Sequence, residues 1–254
     1  MLERFRKAKQ AEIERLLVQG PPPPLSCRRP GFRASLEAHG PCAVIAEYKR
    51  ASPSKGVINL GLEPQDVAGM YARAGAAAIS VLTEEVHFQG SLEYLPVMTG
   101  PGLPLLRKDF LFHPLQVAQT ASTPASALLL IARMFTTAAE LRSLREQAES
   151  LGLEALVEVF DEADLDLARA AGATLLQVNN RDLDTLQVSL GVSQRLAPLR
   201  AADEFWVSAS GIDHPDQVAE MRGLGFGAVL VGTSLMASAD PGAALAALVQ
   251  GGRR

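Results

Sequence analysis

Two periodicities alternate along this chain. From Ala43 onward, short apolar runs rich in Val, Ile and Leu are separated by longer polar segments whose apolar residues recur at helical spacing. The first pattern is that of a strand buried on both faces, the second that of a helix laying one side on a core. Eight runs predict strands: AVIAEYK (43–49), AAISVLT (77–83), PLLRKDF (104–110), ALLLIAR (127–133), EALVEVF (154–160), LLQVNN (175–180), FWVSAS (205–210) and GAVLVG (227–232). The intervening segments, among them PQDVAGMYARAG, SLEYLPVMTG, DEADLDLARAAG and HPDQVAEMRGLG, predict helices; many have Asp, Ser or Pro in front and Gly behind. Ahead of them, the first 18 residues place Leu, Phe and Ile at helical spacing and predict one further helix. Gly20 and the tract Pro21–Pro24 stop it and begin a stiff connector.

Eight strand–helix units with short connections predict an α/β fold, a (β/α)8 TIM barrel with an extra N-terminal helical segment. Residues 1–254 are expected to form a single barrel domain, with 1–42 as its helical extension and Pro-rich connector. A doubly wound open sheet would usually carry a glycine fingerprint after its first strand. SPSKG stands there instead, which is neither GxGxxG nor a Walker loop. The unit spacing is too irregular for a solenoid.

Composition mainly excludes. The net charge of -4, with no basic block, argues against a nucleic-acid partner. Cys27 and Cys42 are too few for a disulfide framework, and the four histidines are scattered, so no metal ligand is expected. No motif demands a nucleotide or nicotinamide, so no cofactor is expected either. No apolar run approaches the roughly 20 residues of a membrane span, and MLERFRKAKQ is too charged for a signal peptide. A cytoplasmic protein without a membrane partner is expected. Oligomeric state is not written in the sequence, and a monomer is the working expectation. Only five of the 24 basic residues are lysines (Lys7, Lys9, Lys49, Lys55 and Lys108), so a lysine on a strand stands out.

In this fold, sites gather at the C-terminal ends of the strands. Glu47 and Lys49 end the first strand two residues apart and share one face. The third strand ends in Lys108 with Asp109, and the fifth carries Glu158. The sixth gives Asn179, Asn180 and Arg181, and the seventh Ser208 and Ser210, followed by Gly211. The eighth gives Gly232, Thr233 and Ser234; the second and fourth stay apolar until Glu84 and Arg133. Buried unpaired charge is expensive, so two lysines and two glutamates converging on one mouth imply an acid–base site. ASGI (209–212) and VGTSLM (231–236), at the ends of strands seven and eight, suit a phosphate cradle of closely approaching backbone amides. Lys49 or Arg181 could supply its countercharge. The implied chemistry is a small phosphorylated substrate, a lysine acting as acid toward a carbonyl or hydroxyl oxygen, and a carboxylate opposite that takes or relays a proton. A Schiff base on Lys108 is also open to this reading.

The motifs are more specific than the pattern. AEYKRASPSKG, SVLTEEVHFQGSLEYL (80–95), LLRKDF (105–110), LVEVF (156–160), VNNRDL (178–183), SGI (210–212) and VGTSLM (231–236) together resemble the indole-3-glycerol phosphate synthase family, in its order and spacing across almost the whole chain. The resemblance implies a helical segment ahead of the barrel. It also implies closure of the indole ring of 1-(2-carboxyphenylamino)-1-deoxyribulose 5-phosphate, with loss of carbon dioxide and water, in tryptophan biosynthesis. The lysine matching Lys108 would protonate the carbonyl oxygen, while Lys49, Glu47 and Glu158 match the candidates for the dehydration. Lys49 also matches a contact to the substrate carboxylate or phosphate. Asn179 and Arg181 match substrate-binding positions, and Ser210, Gly211, Gly232 and Thr233 the phosphate cradle. Ser52 and Pro53 match a closing loop, and Phe88 and Phe110 apolar positions around the anthranilate ring.

The chain departs from the family pattern at three places. Ala209 stands where a glutamate usually precedes SGI, Ser126 where an acid is usual near the fourth strand, and His113 where Asp usually precedes Pro114. Two other functions were weighed. Phosphoribosylanthranilate isomerase would be expected to show a cysteine and an aspartate on strands one and five, where this chain has lysine and glutamate. A non-catalytic sugar-phosphate binder is favoured only by Ala209.

Overall fold

A computed structural model describes residues 2–26, 28–183 and 185–253, so Cys27 lies outside the described residues. Eight parallel strands close into a barrel: β1 (Ala43–Tyr48), β2 (Ala78–Leu82), β3 (Leu105–Lys108), β4 (Ala127–Ile131), β5 (Glu154–Val159), β6 (Leu175–Asn179), β7 (Phe205–Ala209) and β8 (Ala228–Val231). Each pairs with its sequence neighbours, and β8 returns to β1 with Ala43 beside Ala228. Alternation along the strands divides the apolar residues into two sets. Ile45, Leu106, Leu129, Leu156, Val207 and Leu230 fill the lumen. Val44, Ile79, Leu128, Val157, Leu176 and Val229 face the helices instead.

The residues before β1 do not form one helix and a free connector. The helix expected over the first 18 residues is broken at Lys9 into α1 (Leu2–Ala8) and α2 (Gln10–Gln19). Lys9 turns inward there, and its ammonium meets Asp109 and Glu12. Beyond the proline tract, α3 (Phe32–Ala38) closes the bottom of the barrel. Its Phe32 and Leu36 pack with Ala43 and Ala77, at the start of the strands. Its first backbone amides, of Phe32 and Arg33, donate to Glu154. The extension therefore runs from the mouth, where Phe5 stacks on Phe110, to the floor.

Most outer helices follow the expected pattern: α4 (Pro64–Arg73), α7 (Pro114–Ala121), α8 (Ala138–Ser150), α9 (Glu162–Ala170), α10 (Gly191–Leu196), α11 (Pro215–Gly223) and, after the single turn α12 (Thr233–Met236), α13 (Pro241–Arg253). The exception lies between β2 and β3, where SLEYLPVMTG yields only one turn, α6 (Tyr94–Val97), after another single turn, α5 (Glu85–Phe88). His113, the departure from Asp, caps α7: its Nδ1 accepts from the amide of Leu115 at 3.2 Å, so an imidazole does the work of a carboxylate cap. After β1 the chain makes a small hairpin, Ala51–Ser52 against Gly56–Val57, over the mouth. No described helix is long and apolar enough to cross a membrane.

Candidate active site

The i, i+2 rule places the first pair. Glu47 faces the lumen, while Tyr48 turns outward and donates to the carbonyl of Leu62 at 2.9 Å. Lys49 returns to the inner side, its Nζ 2.7 Å from Glu47 Oε1, and Ser80 Oγ on β2 donates to Oε2 at 3.3 Å. Burial pushes the Glu47 carboxyl up, but the ammoniums of Lys49 and Lys108 and the two hydrogen bonds outweigh it and hold the group below the usual carboxylate range.

A second pair forms across the lumen. Lys108 Nζ on β3 lies 3.5 Å from Glu158 Oε2 on β5, with Lys108 18% exposed and Glu158 3%. Two amides of β6 hold that carboxylate. Asn179 Nδ2 donates to Oε1 at 3.0 Å, and Gln177 Nε2 donates to Oε2. Glu158 is thus fixed on both oxygens, whereas Lys108 keeps a looser contact and room to move.

These groups open onto a cleft of about 340 Å³. Glu47, Lys108, Glu158, Asn179 and Arg181 line one side, and Ser210, Gly211, Gly232, Thr233 and Ser234 the other. Gly211 has φ +78°, where a side chain would be strained, and its Cβ would lie 2.5 Å from Val188 Cγ1. At Gly232 a Cβ would come within 2.4 Å of Glu47 Oε1, so the absent side chain brings the β8 backbone against Glu47. A smaller cavity of about 60 Å³ adjoins, sharing Arg181 and Thr233. Its wall holds Phe5, Phe88 and Phe110 beside Ser52 and Pro53 of the hairpin. Phe5 stacks flat on Phe110, with centroids 3.8 Å apart, and Phe88 lies 6.1 Å from both. Burial weighs against the charge of Arg181 and is only partly offset by Glu47; its Nη1 donates to the carbonyl of Leu186 at 3.0 Å.

Some strand-end polar residues point elsewhere. Asn180 and Ser208 face outward and join Ser193 of α10: Asn180 Nδ2 donates to Ser208 Oγ at 3.0 Å, and the two serine hydroxyls lie 2.8 Å apart. Asp109 also faces out, toward Lys9. Glu84 caps α5, accepting from three backbone amides, and Arg133 pairs with Asp161 and Asp164. Alternation explains Asn180, Ser208 and Asp109, which sit one position away from the inward set, whereas Glu84 and Arg133 lie beyond the last residues of β2 and β4, where the chain has left the sheet. Lys49 is held by Glu47 and does not line the cleft, whereas Lys55, Gln177 and Asp213 do. Gln177 was findable, since it stands two residues before Asn179 on the same face. Phe5 and Lys55 were not, because only the folded chain brings them to the mouth. Cys42 is buried below β1, and burial, partly opposed by Arg222, pushes its thiol up to about 12, far from a usable thiolate.

Fold and cleft define a class: a closed (β/α)8 barrel that gathers lysines, carboxylates and glycine loops at the C-terminal ends of its strands. Among solved structures, 3-hexulose-6-phosphate synthase from Salmonella typhimurium shares this architecture, with a TM-score of 0.64 at 16% identity, covering 82% of this chain and 97% of that one. The particular family is settled by sequence. The family described as indole-3-glycerol phosphate synthase matches residues 7–248, and the chain belongs to it. Relatives of that name include one from Carboxydothermus hydrogenoformans, 43% identical over 89% of this chain and 85% of its own length. Another, from Roseiflexus sp. (strain RS-1), is 41% identical over 94% of both.

Proposed function

We propose that the cleft closes the indole ring of 1-(2-carboxyphenylamino)-1-deoxyribulose 5-phosphate, with Lys108 as the acid of the ring-closing step. As a member of the indole-3-glycerol phosphate synthase family, the chain is a carboxy-lyase of tryptophan biosynthesis acting on a phosphorylated small molecule. The observation that carries the residue roles is the loose Lys108–Glu158 pair facing the cleft at 3.5 Å. When the ring carbon attacks the substrate carbonyl, negative charge grows on its oxygen, and Lys108 donates the proton. Loss of carbon dioxide then restores the aromatic ring. The hydroxyl so formed leaves as water after protonation, while Glu47 or Glu158 takes the proton lost from the substrate. Lys49 keeps Glu47 ionised for that role.

Ser210, Gly211, Gly232 and Thr233 would hold the phosphate, with Arg181 between the two cavities. The aromatic wall of Phe88 and Phe110 would take the anthranilate ring, with Ser52 in the hairpin above it. Neither the family match nor the names of the relatives favours the non-catalytic alternative. Turnover followed by the fluorescence of the indole product tests the proposal, because the single tryptophan, Trp206, is 1% exposed and gives a constant background. Turnover is expected, with much weaker binding of a substrate lacking the phosphate. Binding without turnover would overturn the catalytic reading, and equal binding of the dephosphorylated compound would remove the cradle.

A further inference from the structure

Gln177 carries an unused acceptor in the middle of the site. It stands beside Glu158 in the β5–β6 register, and it is 0% exposed. Its Nε2 donates to Glu158 Oε2. A carboxylate only accepts, so this bond fixes which end of the amide faces Glu158. The other end, Oε1, is buried and has no hydrogen-bond partner among the described residues. Buried polar atoms are nearly always paired, so an orphan beside a catalytic carboxylate calls for a partner that arrives later. The residue lines the main cleft together with Glu158, Asn179 and Ala209. Ala209, which pairs with Asn179 in register, adds only a methyl group to that wall; Ser234 Oγ across the cleft is also buried without a partner, but Gln177 Oε1 belongs to the amide that holds Glu158.

We propose that Gln177 is a substrate-contacting residue of this site: Nε2 holds Glu158 in place, and Oε1 accepts a hydrogen bond from a hydroxyl or the anilino N–H of the substrate. The proposal rests on the functional reading above. It gives Glu158 a mechanical link to the bound substrate, since one rigid amide touches both.

Two variants test it in the turnover assay. Gln177→Met keeps the bulk and removes both hydrogen bonds. It should lower kcat/KM by about 10- to 100-fold, the usual effect of losing a hydrogen bond to a charged group, and raise KM. It should also move the acid limb of the kcat/KM pH profile upward, because a lost donor disfavours an ionised carboxylate. Gln177→Glu keeps the size and an acceptor but sets a second carboxyl against Glu158; the two would share a proton, and the limb should move further up. A folded Gln177→Met variant with kcat/KM within about twofold of wild type would overturn the proposal. So would a fall in activity with an unmoved limb in both variants, which is the mark of a structural role. If the Met variant does not fold, the limb of the Glu variant decides. Wild-type turnover keeps the two readings apart: without it the functional reading falls and this one with it, and with it only the Gln177 variants decide.

Discussion

Lys108 and Asp109 are adjacent in sequence, and each belongs to a lysine–carboxylate pair, but the pairs lie on opposite faces of β3. Inside, Lys108 Nζ stands 3.5 Å from Glu158 in an open cleft. Outside, Asp109 Oδ2 accepts from Lys9 Nζ at 2.9 Å, Thr83 Oγ1 at 2.6 Å and Arg107 Nη2 at 3.1 Å, and Oδ1 accepts from the amide of Phe110 at 2.8 Å. Burial pushes the Asp109 carboxyl up, but Lys9, Arg107 and the hydrogen bonds prevail and bring it down to about 2. The outer pair is saturated and sealed, so it contributes to the fold and has nothing left to offer a ligand. In the inner pair Glu158 is held on both oxygens, but Lys108 has only a loose contact and keeps donors free for a substrate. One strand thus supports both uses, because successive side chains leave it in opposite directions.

The contrast is open to attack, beginning with the largest expected effect. Lys108→Ala should reduce turnover by about 10²–10⁴-fold, the range of a lost general acid, while leaving the melting temperature close to wild type. A near-normal rate would take the acid role from Lys108. Asp109→Ala leaves buried Lys9 and Arg107 with Glu12 as their remaining carboxylate, and denaturant unfolding should show a loss of about 3 kcal/mol, the low end for a broken buried pair. If that variant is as stable as wild type, the outer pair is not the clamp described here. Gly232→Ala sharpens the inner side. Its Cβ would lie 2.4 Å from Glu47 Oε1 and 2.9 Å from Glu47 Cβ, so Glu47 and the backbone beside it must shift, and kcat/KM should fall on the order of 10- to 100-fold, with some loss of stability. The smallest effect is the response to acid. Asp109 titrates near 3.8 when unfolded and about 2 when folded, so its contribution is complete above 3.8 and is lost as pH falls toward 2. Thermal unfolding across that window should show a smaller drop for Asp109→Asn than for wild type, and equal drops would mean that the acid sensitivity lies elsewhere.

Much of this was legible in the chain itself. The eight apolar runs became the eight strands, with ends displaced by one or two residues; the shared face of Glu47 and Lys49 followed from counting in twos, and Lys108, Glu158 and Asn179 from their place at the strand ends. The strand-end reading fails for Asn180 and Ser208, which were read as mouth residues but lie on the outer parity and bond to Ser193. The single long helix expected at the start failed for another reason. Nothing in local periodicity shows that Lys9 would be drawn 100 residues along the chain to Asp109.

By itself, then, the sequence determined the alternation of strand and helix, the barrel class, the family and the placing of Glu47, Lys108 and Glu158 at the mouth. All of these depend on local spacing or on short motifs, and those survive in one dimension. Tertiary structure alone decided that α1 brings Phe5 onto Phe110, that Lys49 is held by Glu47 away from the cleft wall, and that Gln177 is left with one unpaired oxygen beside Glu158. These are distances between residues far apart in the chain or the result of closing a barrel, and no periodicity encodes them. Contact and desolvation are properties of the packed molecule, so they exist only once it has folded.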